Sequence, residues 1–224
     1  MSTPRGDAAS GAHTAGTRLT LIRELVERDP TAAADQAWAM IVEAGSRVSG
    51  DRERATAELA SLFAAGSPST GISGSTRGIL VSFTVHPLVD RFFATVTTAW
   101  MPWVGKRFDA ERKAGDNLLA RSARWPSRIP WPRYRMREVD GRLAAFDFTT
   151  RVEPGALQPH RDVLVIDYAA AGRPAAENPK LIIQSIRDEL VELVPGVHLG
   201  RMLWRTRNGG LHLLAYFALR TDGR

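Results

Sequence analysis

"VHLGRMLWRTRNGGLHLLAYFALR", residues 197–220, reads as two strands meeting at a glycine turn. Asn208-Gly209-Gly210 supplies the residues that a tight hairpin accepts, and both arms are rich in Val, Leu, Trp, Tyr and Phe. Alternation along the first arm places His198, Gly200, Met202 and Trp204 on one face, opposite Val197, Leu199, Arg201, Leu203 and Arg205. In the second arm His212, Leu214 and Tyr216 share a face.

The same pattern recurs upstream. "VDGR" at 139–142 contains Asp140-Gly141, the strongest short hairpin signal in the chain, and joins "RYRMREVD" to "RLAAFDFTTRV". "ILVSFTV" (79–85), "WVGKRFD" (103–109), "NLLARSA" (117–123) and "DVLVIDYA" (162–169) are further strand-like runs. Two helices are expected among them: "HPLVDRFFATVTTAW" (86–100), and "NPKLIIQSIRDELVELV" (178–194), which Asn178 would cap and whose apolar face is Leu181, Ile182, Ile186, Leu190 and Leu193. Strands joined by tight turns form an antiparallel sheet, since parallel strands need long crossovers. About eight strands suffice to close a small barrel. The expected class is therefore α+β: a mostly antiparallel β-barrel over 74–221, with one or two helices packed on it.

Before residue 74 the periodicity is helical. "TRLTLIRELVERDP" carries Leu19, Ile22, Leu25 and Val26 at helical spacing; Thr31 can cap a second helix through Trp38 and Ile41; and "DRERATAELASLFAAG" starts at Asp51 and stops near Gly66. Residues 18–66 form a helical arm, separated from the barrel by the Ser/Gly/Thr/Pro stretch "SPSTGISGSTRG". Its apolar faces must pack over one end of the barrel or pair with a second chain as a homodimer. Residues 1–17 are small and polar without an apolar core segment, which reads as a disordered lead and not a signal peptide.

Composition sets outer bounds. The 224 residues are 44% hydrophobic and 24% charged, ordinary for a soluble globular protein. With no cysteine, disulfide frameworks, thiolate nucleophiles and Cys-ligated metals are excluded. No run approaches the roughly 18 apolar residues of a membrane span, so a cytoplasmic protein is expected. The net charge of +6 comes almost wholly from arginine. Basicity invites a nucleic-acid reading, but the basic run "RSARWPSRIPWPRYRMR" (121–137) is broken by three prolines and no recognition motif accompanies it.

"GSTRGILVSFTVHPLVDRFFATVTTAWMPWVGKRFD" resembles the bacterial GXWXG-type domain, with its Gly-bounded strand, HPLD-like helix and WYGKRF-like segment. The stretch from "NPKLIIQ" to "YFALR" looks like the DUF4334 domain that commonly follows it. The resemblance spans roughly 74–220 and implies a lipocalin-like or nitrobindin-like barrel; it implies no settled activity. One departure is Thr76, which stands where the family's motif has tryptophan.

Several residues could carry chemistry. Trp100, Trp103, Trp125 and Trp131 crowd one region, where they would either line an apolar pocket or plug a barrel end. Alternation sends Lys106 and Arg107 to opposite faces, so one of them could present an inward cation to a carboxylate, phosphate or enolate oxygen; a solvated or ion-paired lysine is the commoner case. Asp147, between two phenylalanines, could serve as acid or base or simply pair with arginine. His198 with Tyr216 and Asp147 could form a proton-transfer set, or His198 could contact a haem, although a lone inward histidine is more often hydrogen-bonded in the core. Met202 and Trp204 would line the ligand side of the same strand. His86 is expected to cap a helix. Arg187, Asp188, Glu189 and Glu192 are expected to form ion pairs along a helix, and without a Glu-x-x-His pattern they suggest no metal site.

The chain lacks the nucleophile elbow, phosphate-binding loop, dinucleotide fingerprint and zinc-protease motifs. What is left is binding of a hydrophobic or amphipathic small molecule (a lipid, terpenoid, polyketide or porphyrin) inside the barrel. An isomerase or cyclase using an acid–base pair in the same cavity is the alternative, and a basic-surface nucleic-acid or protein adaptor the second. No cofactor is implied beyond haem or another apolar ligand. Convergence of Asp147, His198 and Tyr216 would favour chemistry; their separation would favour binding alone.

Overall fold

The computed structural model describes residues 5–83, 102–124, 134–169, 183–206 and 208–221. Three helices come first: α1 (Arg5–Leu25), α2 (Pro30–Ser46) and α3 (Arg52–Ala65). α1 takes in most of the stretch expected as a disordered lead. α2 starts earlier than its expected Thr31 cap, because Asp29 Oδ1 accepts from Ala32 N at 2.9 Å and Pro30 fills the first helical position, where no N–H is needed. α3 is capped by Asp51 and ends at Gly66, as its sequence implies.

The strands are β1 (Ser67–Pro68), β2 (Gly74–Phe83), β3 (Trp103–Asp109), β4 (Ala114–Leu119), β5 (Arg137–Val139), β6 (Arg142–Pro154), β7 (Asp162–Asp167), β8 (Ile186–Val194), β9 (Val197–Arg205) and β10 (Leu211–Thr221). Strand pairings among the described residues are antiparallel, in the order β8-β7-β6-β4-β3-β2-β10-β9, and β9 pairs back onto β8. Eight strands thus close into a barrel, with β1 and β5 added at its margins. Both expected hairpin turns form: Asp140 and Gly141 take φ of 46° and 74° between paired Val139 and Arg142, and Gly209 takes φ 84°.

One expected helix is a strand. Residues 186–194 pair with β7 on one side and β9 on the other. The sequence "IRDELVELV" satisfies a period of two as well as of 3.6. Ile186, Asp188 and Leu190 take one face and Arg187, Glu189 and Val191 the other. Ladder hydrogen bonds from two neighbours then decide what local propensity leaves open. The expected helix at 86–100 and the first five residues of the one expected at 178–194, with His86, Trp100, Trp125 and Trp131, lie outside the described residues.

The sheet carries two cores, one on each face. Outside, Leu19, Ile22, Met40, Ile41, Leu62 and Phe63 of the helices bury Val163, Val165, Val191, Leu199, Tyr216 and Ala218. The arm therefore covers the side of the barrel and not its end. Arg23 fastens it by donating to Leu193 O at 2.9 Å and Ala65 O at 2.7 Å. Inside lie Phe108, Phe146, Phe148, Leu164, Ile166, Tyr168, Leu190, Phe217 and Leu219. Among the described residues, no helix is long and apolar enough to cross a membrane.

The two ends of the barrel differ. At one end the connections are the short 110–113, 155–161 and 195–196, and the segment after β1 sends Ile72 into the interior core. At the other end three connections are longer in sequence, 84–102, 120–136 and 168–185, and the fourth is the short 206–210. That end is rimmed by half-buried Trp103, Tyr134, Met136 and Ile186, packed against the inner core.

Candidate functional site

Lys106 lies on β3 three residues in from Trp103, about 10 Å below the long-loop rim at strand rise. Its side chain points into the barrel, and Arg107 points out to Asp116. Nζ of Lys106 donates to Asp188 Oδ2 at 2.9 Å, Asn117 Oδ1 at 2.9 Å and Tyr168 OH at 2.5 Å. Tyr168 OH in turn donates to Asp188 Oδ2 at 2.8 Å and accepts from Asn117 Nδ2 at 3.2 Å. Trp103 Nε1 donates to Asn117 Oδ1 at 3.0 Å. Three strands, β3, β4 and β8, and the residue just after β7 thus contribute to one polar cluster.

The cluster is buried. Lys106 is 2% exposed and Asp188 1%. Nζ stands 5.2–5.7 Å from the ring centroids of Trp103, Phe148, Tyr168 and Phe217, within cation–π range of all four. Glycines make room for this cage. A β-carbon on Gly78 would come within 2.5 Å of the Trp103 ring, on Gly115 within 2.5 Å of the Phe148 ring, and on Gly200 within 2.1 Å of the Phe217 ring. Burial pushes the Lys106 amine below its usual range, with Asp188 opposing the shift. The Tyr168 phenol is pushed well up by burial and then by the Asp188 charge. One acceptor is left over: Asp188 Oδ1 is buried without a hydrogen-bond partner among the described residues.

Thr76 explains itself here. Its hydroxyl accepts from Lys106 N at 3.1 Å and donates to Lys106 O at 2.8 Å, holding the backbone from which the amine projects.

The expected acid–base set does not assemble. Asp147 is ion-paired to Arg137 at 2.6 Å on the outer surface, next to the Arg107–Asp116 pair. Tyr216 lies in the outer core under the helices, where burial raises its phenol to about 12 against the opposing Arg201 charge. It pairs across the ladder with Arg201, three residues from His198, so it faces away from that histidine. His198 sits near the short-turn end, its Nδ1 2.9 Å from Ser69 Oγ, and burial lowers it to about 4. Its other nitrogen lies 3.9 Å from Glu192 Oε1. These three residues occupy three environments.

Of the expected ligand-side residues, Lys106 and Trp103 belong to the cluster. Met202 pairs with Asp188, and Trp204 with Ile186, which puts both on the inner face; both are half-buried. Asp188, Tyr168 and Asn117 were not singled out for this role. The helical reading of 178–194 hid Asp188 among intrahelical pairs. In the barrel Arg187 pairs with Glu153 of β6 and with Glu189 along its own strand, Arg201 of β9 pairs with Glu189, and Glu192 accepts from Gly196 N of the following turn. Many surface arginines also carry carboxylate partners, among them Arg18 with Glu43, Arg151 with Asp167 and Arg220 with Asp35. Much of the positive charge is neutralised where it stands.

No protein-family model and no curated protein matches the chain. Among solved structures it is similar to the crystal structure of a protein from Thermomonospora curvata, at 18% identity and a TM-score of 0.42, over 81% of this chain and 99% of that one.

Proposed function

We propose that the barrel binds a hydrophobic or amphipathic small molecule, with the Lys106–Asp188 cluster as its polar anchor. The observation that carries this is a fully buried ion pair with one carboxylate oxygen unpartnered, set among four aromatic rings. Such a pair is poorly explained by stability, because well-packed hydrophobic residues of similar volume usually serve at least as well. Since Lys106 already has three acceptors and Asp188 Oδ1 has no donor, the ligand group that fits is a hydroxyl or N–H on an apolar body. A lipid or terpenoid alcohol, a phenolic polyketide and a porphyrin N–H all carry such a donor. The resemblance to the GXWXG and DUF4334 domains belongs to this proposal too; it implies a lipocalin-like barrel and names no ligand.

Calorimetric titration tests the reading with 2-naphthol and its methyl ether, which differ by one donor hydrogen. The naphthol should bind at least about ten-fold more tightly, as expected for one hydrogen bond to a charged acceptor, and Asp188→Asn should erase the difference. Equal affinities in the wild type, or no binding of either, would contradict it.

A further inference from the structure

We infer that Lys106 is a covalent site for carbonyl ligands, capturing an apolar aldehyde or ketone as an iminium held inside the barrel. This rests on the reading above that the barrel admits an apolar molecule. The chain has no cysteine and three lysines, Lys106, Lys113 and Lys180, and the first of these points into the barrel interior. Lys113 is exposed.

Three groups that imine chemistry needs are in contact. Nζ is the nucleophile, Asp188 Oδ2 stands 2.9 Å from it to take and return a proton, and Tyr168 OH, 2.5 Å from Nζ, would turn its proton from Asp188 Oδ2 to an oxygen developing charge. The ammonium passes one proton to Asp188. The nitrogen lone pair adds to the carbonyl carbon, the π electrons move to oxygen, and that oxygen takes the proton held by Asp188. Asp188 then accepts a second proton from the nitrogen and delivers it to the hydroxyl, and water leaves as C–O breaks and the nitrogen lone pair forms C=N. The products are one iminium and one water, and the iminium keeps the single positive charge that Lys106 carried. Asp188 and the aromatic cage, arranged around a cation before the reaction, surround a cation after it. Burial, which lowers the amine below the range of a solvated lysine, acts in the same direction.

The test uses the unmodified protein. It is incubated with 2-naphthaldehyde and cyanoborohydride at pH 7, and the adduct, of mass equal to the aldehyde less one oxygen, is located by peptide mass spectrometry. The expected result is a single adduct on Lys106, at least ten-fold over Lys113, suppressed by excess 2-naphthol. Its rate should level off well below the pH near 10 at which a solvated lysine does. Labelling confined to Lys113, Lys180 or the amino terminus overturns the inference. If 2-naphthol binds and Lys106 stays unlabelled, the covalent step alone is wrong. If neither happens, the binding proposal fails with it. Lys106→Arg, which keeps the charge and cannot form the imine, should abolish the interior adduct and leave labelling of Lys113 unchanged.

Discussion

Tyr216 and Phe217 are neighbours in the chain and belong to different regions of the molecule. Tyr216 lies under the helices with Met40, Phe63 and Val165, and Phe217 lies inside the barrel over Gly200 and beside Lys106. The outer region is a mostly aliphatic layer that joins helix to sheet and covers the Arg201–Glu189 pair with Phe63. The inner region is aromatic and surrounds a Lys–Asp–Tyr–Asn cluster that hydrocarbon could replace. Both faces thus hold a buried ion pair, but only the Lys106–Asp188 pair lies within the barrel in a cage of four aromatic rings. This is the physical reason for placing function inside.

The largest effect should come from removing the outer layer. Deleting residues 1–66 strips the cover from Val163, Val165, Val191 and Leu199, and the truncated chain should aggregate or self-associate in size-exclusion chromatography. A soluble monomeric barrel would mean that this layer is dispensable.

Next comes the buried pair. Lys106→Met leaves Asp188 buried and uncompensated and should lower unfolding free energy by about 3–5 kcal/mol, whereas Lys106→Met with Asp188→Leu should recover most of that loss. Urea denaturation of both variants decides the matter. A double variant no better than the single would make the pair structural, and the contrast between the faces would collapse.

His198 gives a pH-dependent effect of about 3 kcal/mol, from a fall of its pKa from 6.5 to about 4. The folded protein holds the imidazole neutral, and the unfolded chain takes up its proton first as pH falls. This contribution is therefore fully present above pH 6.5, is lost between pH 6.5 and about 4, and is constant below. His198→Asn should flatten that part of the stability profile; an unchanged slope would place the acid sensitivity elsewhere.

The smallest effect belongs to Asp147. Its partner Arg137 is 47% exposed, so Asp147→Asn should cost about 1 kcal/mol or less and leave 2-naphthol affinity unchanged. A large loss of binding would return Asp147 to the site from which its outward position removes it.

Much of the barrel was legible because its signals are local. Asp140-Gly141 and Asn208-Gly209-Gly210 specify turns by backbone chemistry, and alternation at Lys106 and Arg107 separates the inner residue from the outer. Asp188 was hidden because "IRDELVELV" fits two periods, and only pairing with distant β7 and β9 selects the strand. Tyr216 was misread for a similar reason: the register of β10 shifts between Leu213 and Ala215 and again between Tyr216 and Phe217, which simple alternation cannot anticipate. The inner cluster is a product of closure, since Lys106, Asn117, Tyr168 and Asp188 are brought together from four separate parts of the chain.

Methionine methyl resonances test the central claim most directly, because these residues mark both regions. Met40 is fully buried in the outer layer, Met202 pairs with Asp188 on the inner face, and Met136 packs at the rim of the inner core. On titration with 2-naphthol, the carbon-13 methyl signals of Met202 and Met136 should shift saturably while that of Met40 stays fixed. A saturable shift of Met40 with Met202 unmoved would place binding under the helices and contradict the assignment of function to the barrel interior.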